Sequence, residues 1–228
     1  MLLADQLREA LTETNKLQTV LTTHNTRPIT FGALLGGTPW KQWFNAPKKE
    51  KWHWEVRGDG HVIPYLKSPV DGKSDLIWKT SDREQGKTAL YRLGETQPDI
   101  QDGLLQITRE QIIKEPPDVL FLNVEMLNQS MGDPHWRKVF GFGQGGQSPR
   151  LVLFDEVHTY EGVAGAQAAW VIRRWKRWLH SGGRVKSPHY VGLSATLKDA
   201  NEHMGKMCAI RADQITEFSP KPGIGKDG

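Results

Sequence analysis

Leu151-Val152-Leu153-Phe154-Asp155-Glu156-Val157-His158 is the stretch whose reading decides the fold of this 228-residue chain. Four apolar residues run straight into two adjacent carboxylates. A short apolar run bounded by polar residues reads as a buried strand of a parallel sheet. Carboxylates just past its C-terminal end stand at the edge where open α/β sheets bind ligands. Such a pair suits a Mg-nucleotide site, with one carboxylate for the metal and one to handle a water. A strand running into a solvated acidic turn is the other reading of these residues taken alone.

Outward from this strand the pattern repeats. Asp118-Val119-Leu120-Phe121-Leu122-Asn123 and His189-Tyr190-Val191-Gly192-Leu193 read as two more strands, the second running into Ser194-Ala195-Thr196. Pro28 to Leu35 reads as another, ended by Gly36-Gly37-Thr38-Pro39. Helical periodicity covers residues 2–21, with Leu3, Leu7, Ala10, Leu11 and Leu17 at spacings of three and four. Thr108 caps a short helix, Arg109 to Lys114, that stops before Pro116-Pro117. A long helix is expected from Val163 to His180, with Ala166, Ala169, Trp170, Ile172 and Leu179 as apolar positions, ended by Ser181-Gly182-Gly183. Alternating strands and helices predict an α/β fold with a parallel sheet. Its strand ends would bring Asn123, Asp155 and Ser194 to one rim.

Composition sets bounds. The hydrophobic fraction is 37% and the net charge +4, which allows a polyanionic partner without requiring one. The single cysteine, Cys208, excludes a disulfide framework or a cysteine zinc site within one chain and points to a reducing, cytoplasmic setting. No apolar run approaches the roughly 18 residues of a membrane span, and the N-terminus lacks the basic and apolar regions of a signal peptide.

Residues 40–103 differ from the rest. Trp40, Trp43, Trp52, Trp54 and Trp78 are scattered among Gly, Pro, Lys and Asp, and short strand-like pieces are separated by Gly-Asp-Gly and Asp-Gly turns. This reads as a small β-rich insertion whose tryptophans either build a local core or stack on bases. Arg173-Arg174-Trp175-Lys176-Arg177-Trp178 likewise allows a phosphate grip or a solvated helix face anchored by its tryptophans. The tail from Ser219 reads as frayed.

Asp155-Glu156-Val157-His158, followed by Gly192-Leu193-Ser194-Ala195-Thr196-Leu197, resembles the DExH box (motif II) and the SAT motif (motif III) of superfamily 2 DEAD/DEAH-type helicases. Pro117-Asp118-Val119-Leu120-Phe121-Leu122-Asn123-Val124-Glu125-Met126-Leu127 is similar to motif Ib, with Asn123-Val124 where Thr-Pro is usual. Leu2-Leu3-Ala4-Asp5-Gln6 is similar to the end of motif Ia. The flavour is that of Lhr-like and phage-defence-associated bacterial helicases. The resemblance implies an N-terminal RecA-like domain of P-loop NTPase type. Residues 1–39 and 104–218 would form it, 40–103 would be its insertion and 219–228 a flexible tail. It further implies a helicase or translocase of DNA, with RNA as the alternative strand. ATP and Mg²⁺ would be bound by Asp155 and Glu156, the metal by Asp155. Asp155, Glu156 and His158 would be catalytic, Ser194, Ala195 and Thr196 the coupling motif, and Asn123, Val124 and Glu125 a nucleic-acid contact.

The resemblance also marks what is missing. The chain begins inside motif Ia, after the position of the first strand and its Walker A loop. Its one Gly-Lys-Thr, Gly86-Lys87-Thr88, lacks the leading glycine and the preceding strand. A P-loop segment and a second RecA-like domain with an arginine finger would come in cis or in trans, and the chain alone would be inactive. Pro64-Tyr65-Leu66-Lys67-Ser68-Pro69-Val70-Asp71-Gly72 is similar to a zinc-ribbon segment with Ser68 and Asp71 in place of cysteines, so no zinc is expected. Two other readings stay open: a non-hydrolysing nucleic-acid- or helicase-binding subunit, and a metal-dependent phosphodiesterase using Asp155, Glu156 and His158.

Overall fold

The computed structural model describes residues 2–23, 26–40, 54–142, 146–181, 187–194 and 198–218, apart from the side chains of residues 2, 3, 17–19, 21 and 22. Trp43, Trp52, Ala195, Thr196, Leu197, the tail and the side chains of Leu3 and Leu17 therefore lie outside the described residues. The chain forms two compact units, residues 1–129 and 130–228.

In the first unit, α1 (Leu2–Thr23) buries Leu7 and Leu11. Strand β1 (Phe31–Leu34) is buried along its whole length, as a central parallel strand must be. It lies between β6 (Leu105–Gln106) and β7 (Val119–Leu122), parallel to both, with Phe31 opposite Val119 and Leu34 opposite Leu122. Between β1 and β6 the chain builds a four-stranded antiparallel sheet: β2 (Val56–Arg57), β3 (Gly60–Lys67), β4 (Asp75–Lys79) and β5 (Tyr91–Arg92). A short helix, α2 (Thr80–Glu84), follows β4. Trp54 meets Trp78 and Tyr65 edge to face, at 6.4 and 6.3 Å between ring centroids. Both tryptophans are buried in one cluster with Leu7, Leu11, Phe31 and Ala33. The antiparallel sheet and the parallel sheet thus share a core, which a reading of the tryptophans as a merely local core did not anticipate.

Helix α3 (Arg109–Lys114) has the expected start: Gln111 N–H donates to Thr108 Oγ1, and the Gln111 side chain returns the cap. Asp118 then ties β7 to β1. Its carboxylate accepts both Arg27 Nη groups at 2.6 Å, Thr30 N–H at 2.9 Å and the Thr30 hydroxyl at 3.0 Å. The Arg27 guanidinium holds the Asp118 carboxyl well below the usual carboxylate range; burial opposes it, and the Thr30 donors add to the lowering. A depressed carboxyl stabilises the fold above its unfolded pKa of about 4 and loses that contribution as pH falls. The carboxylate is one-third exposed, so screening limits the effect to about 1 kcal/mol. Asp118→Asn is expected to lower the melting midpoint at pH 7 by a few degrees. The gap from the unaltered chain should close as both are titrated towards pH 2, and a pH-independent gap would contradict the assignment.

The second unit begins within α4 (Val124–Met131) and continues through a short 3₁₀ turn, Pro134–Trp136, to β8 (Leu151–Phe154). Helix α5 (Gly162–Ser181), β9 (His189–Gly192) and α6 (Ala200–Cys208) follow. Strands β8 and β9 pair in parallel, Leu151 opposite His189 and Phe154 opposite Gly192. The described strands therefore form two parallel ladders, with β7 in one and β8 and β9 in the other. Within this unit Phe154 is buried and Tyr190 half-buried, with Lys176 of α5 5.4 Å from the Tyr190 ring centroid. Phe154 stacks on Tyr190 at 6.2 Å, and a Cβ on Gly192 would sit 2.7 Å from Met204 Sδ, a flexible side chain of α6 that would have to shift. Leu151, Leu153, Val191 and Leu193, on the opposite face, are exposed.

Candidate functional site

The chemistry-bearing residues of the second unit gather where β8 and β9 end. After Phe154 the backbone enters a bend at Asp155, and Glu156 takes a left-handed conformation, φ 47° and ψ 47°. A glutamate there is held by its surroundings rather than by preference. Val157 N–H donates to Leu193 O at 2.9 Å, and Leu193 N–H donates to Phe154 O at 2.8 Å, so the two strand ends are clasped together. The Thr159 N–H and hydroxyl both donate to Glu156 O at 2.8 Å. Val157, 1% exposed, anchors the turn in the core.

This turn aims His158 back across the strand ends. Its Nδ1 lies 3.0 Å from Ser194 Oγ and 3.2 Å from Glu156 Oε2. A carboxylate only accepts, so the proton belongs on Nδ1, shared between Glu156 and the Ser194 hydroxyl. His158 therefore stands between the second carboxylate and Ser194. Asp155 is half-buried beside Tyr160, whose ring meets Phe154 edge to face. Burial first, and the Asp155 charge second, push the Tyr160 phenol above its ordinary value, so it remains protonated. Ala195 and Thr196 lie outside the described residues.

Sequence reasoning missed one residue here. His203 on α6 places Nε2 3.1 Å from Val157 O, where the ring N–H donates and ties the turn to α6. No motif carried this signal.

Asn123, Val124 and Glu125 stand at the end of β7. The Asn123 side chain accepts Met126 N–H at 2.7 Å, capping α4, while Glu125 accepts Gln129 Nε2 at 2.9 Å and Val124 is half-buried. Asn123 and Glu125 are thus exposed but already hydrogen-bonded within the chain.

Gly86-Lys87-Thr88 is no phosphate cradle. Thr88 is buried, its N–H donates to Asp102 at 2.7 Å, and its hydroxyl accepts Gly103 N–H at 3.1 Å. Lys87 O accepts Trp78 Nε1 at 2.8 Å. These groups hold the antiparallel sheet together, and no run of N–H groups faces outward as a phosphate site requires. Ser68 and Asp71 are also engaged. The Ser68 hydroxyl donates to Asp99, which is 4% exposed and also accepts Arg92 Nε at 2.9 Å, and Asp71 accepts the N–H groups of Lys73 and Ser74 at 2.9 Å. Chelation with EDTA is accordingly expected to leave the melting midpoint unchanged. Asp99→Ala, which strands Arg92 and the Ser68 hydroxyl, should cost about 2 kcal/mol in urea unfolding. A midpoint that falls on chelation would reverse this account.

In the basic run, Arg173 donates to Lys206 O at 2.7 Å and Lys176 to Cys208 O at 2.7 Å, so both hold the C-terminal carbonyls of α6. Trp175 is buried and donates through Nε1 to Phe140 O at 2.9 Å, and Trp178 meets Phe142 edge to face at 4.9 Å. These residues build the unit. Trp170, expected among the apolar core positions, is instead 70% exposed.

The chain is similar to proteins named as ATP-dependent helicases. It is 29% identical over 119 residues to ATP-dependent helicase hrq1 of Schizosaccharomyces pombe, covering 52% of this chain and 11% of that protein. It is 31% identical over 114 residues to ATP-dependent helicase HRQ1 of Saccharomyces cerevisiae, covering 49% of this chain and 10% of that protein. It is 30% identical over 101 residues to a Bacillus subtilis protein described as an uncharacterized ATP-dependent helicase, YprA, covering 44% of this chain and 13% of that protein. The chain thus spans a small fraction of the length of each relative. No family model and no solved structure matches it. Similarity to ATP-dependent helicases is what this chain shows, together with a mixed α/β fold compatible with a RecA-like domain.

Proposed function

We propose that this chain supplies the hydrolytic carboxylates of an ATP-dependent nucleic-acid helicase or translocase, with DNA as the strand and RNA as the alternative. The observation that carries the reading is the Asp155–Glu156 pair at the end of β8, linked through His158 to Ser194 at the end of β9. Residues 1–39 and 104–218 would be the RecA-like domain, of Lhr-like or phage-defence type, and 40–103 its insertion.

The donor set fits Mg²⁺: two adjacent carboxylates on a clasped loop offer the hard oxygen ligands that this ion takes. When bound, Mg²⁺ neutralises charge on the phosphates. Asp155 would hold the ion. Glu156, fixed by its left-handed backbone and by His158, orients and deprotonates the attacking water. His158 and Ser194 would pass the state of that site to Ala195 and Thr196. Asn123, Val124 and Glu125 contact the nucleic-acid backbone. Gly86-Lys87-Thr88 is spent on hydrogen bonds within the chain, so a phosphate loop would be formed by residues other than these. The exposed apolar face of β8 and β9 is what an unfinished parallel sheet would present.

Single-turnover assays test the reading. The chain alone is expected to show no hydrolysis with Mg²⁺ and single-stranded DNA, and the complete protein to hydrolyse ATP faster when the strand is added. A complete protein with no strand-stimulated turnover would overturn it. Strand cleavage without ATP would favour the phosphodiesterase. The same engagement of Gly86-Lys87-Thr88 favours a second reading, a binding-only subunit, which strand-stimulated hydrolysis by the chain itself would exclude.

A further inference from the structure

Helix α5 has a face that the hydrolytic site does not use. At helical spacing Val163, Gln167, Trp170, Arg174 and Arg177 all lie on one exposed side, opposite the buried Ala168, Ile172, Trp175 and Leu179. Val163 is 76% exposed and Trp170 70%. A tryptophan left this open on a long, well-packed helix is unusual, because burying its ring is worth more than burying almost any other side chain. The charge pattern is unusual as well. From Gly162 to Ser181 the helix carries Arg173, Arg174, Lys176 and Arg177 and no carboxylate. A merely solvated face mixes both signs.

We infer that this face of α5 is a docking surface for single-stranded nucleic acid, Trp170 stacking on a base while Arg174 and Arg177, one and two turns on, take the flanking phosphates. Two features select this occupant over a protein. The helix carries four basic residues and no acid, and two of them, Arg174 and Arg177, lie on the open side with Trp170, a charge pattern that complements a polyanion. The open aromatic sits among them at a spacing that alternates base stacking with backbone contact. The surface is separate from the nucleotide site, and the inference rests on the nucleic-acid reading above for the class of partner.

Fluorescence anisotropy of labelled oligothymidylate and oligouridylate, titrated with the chain at low salt, tests it. Trp170→Ala is expected to weaken binding about tenfold, the loss of one stacked base, and Trp170→Phe to recover most of it. Arg174→Gln and Arg177→Gln should each lower the slope of log affinity against log salt by about 0.7, and Trp170→Ala should leave that slope alone. Circular dichroism melts should match the unaltered chain, because these side chains are exposed. Tighter binding of either oligonucleotide through Trp170 supports the surface and identifies the preferred sugar. Failure of the unaltered chain to bind either strand overturns it. So does unchanged affinity in Trp170→Ala; a simultaneous change in self-association would instead assign the face to protein docking. ATP turnover of the complete protein judges the helicase reading separately, so either can fail alone.

Discussion

Glu156→Gln in the complete protein is expected to cut ATP turnover about a thousandfold while leaving nucleotide affinity unchanged. That loss is the size typical of removing a positioned general base and amounts to about 4 kcal/mol in barrier height. The substitution is well isolated. Glutamine has the same length, retains an oxygen to accept from His158 Nδ1, and meets the same left-handed backbone that glutamate occupies at φ 47°. The clasp between Val157 N–H and Leu193 O uses only backbone and is untouched. Turnover within a few-fold of the unaltered protein, measured with saturating ATP and strand, would remove Glu156 from the chemistry and with it the hydrolytic reading of this site.

Gly165→Ala is expected to destabilise the second unit by about 3 kcal/mol, at the upper end for overpacking, and to shift the carboxylate turn. A Cβ at residue 165 would sit 2.2 Å from Tyr160 O and 2.6 Å from Tyr160 C, both rigid backbone atoms. Gly165 N–H already donates to Glu161 O at 3.0 Å, which holds the first turn of α5 against this loop. The Tyr160 loop must therefore move, carrying a phenol that stands beside Asp155. Gly162→Ala is the control. Residue 162 has φ +56° but nothing within 4 Å of a new Cβ, so only the left-handed backbone is penalised, about 1 kcal/mol. Urea unfolding of the two variants should rank Gly165→Ala well below Gly162→Ala. Equal midpoints would mean that the loop does not lie where Tyr160 O places it.

Much of the local structure was legible in residue patterns. The Thr108 cap with Gln111 three residues on set the start of α3, because the capping box is a local hydrogen-bond exchange. The Val163–His180 periodicity marked α5 to within a residue at each end. Other features were not legible, for reasons that can be named. Trp170 reads as a core position because it is large and apolar and sits near Ala169 and Ile172, yet the burial of Trp175 and Leu179 turns the helix so that Trp170 faces outward. The arginines and lysine after it looked like one charge run. Two of them instead close the end of α6, which lies about thirty residues away in sequence. Asp118 reads as the first polar residue of a strand, and its guanidinium partner Arg27 is set by the β1–β7 register.

The sequence by itself determined where many of the elements lie and which residue types end them. Short apolar runs end in Asn123, in Asp155-Glu156 and in Ser194, helices alternate with them, and an adjacent carboxylate pair closes β8, because periodicity and strand length are local properties. Only the tertiary structure decided that Glu156 adopts a left-handed backbone, that His158 bridges it to Ser194, that His203 braces the turn from α6, and that Gly86-Lys87-Thr88 serves the antiparallel sheet. Each of these depends on contacts between residues distant in sequence, whose geometry is set by packing and strand register, and no local pattern encodes it.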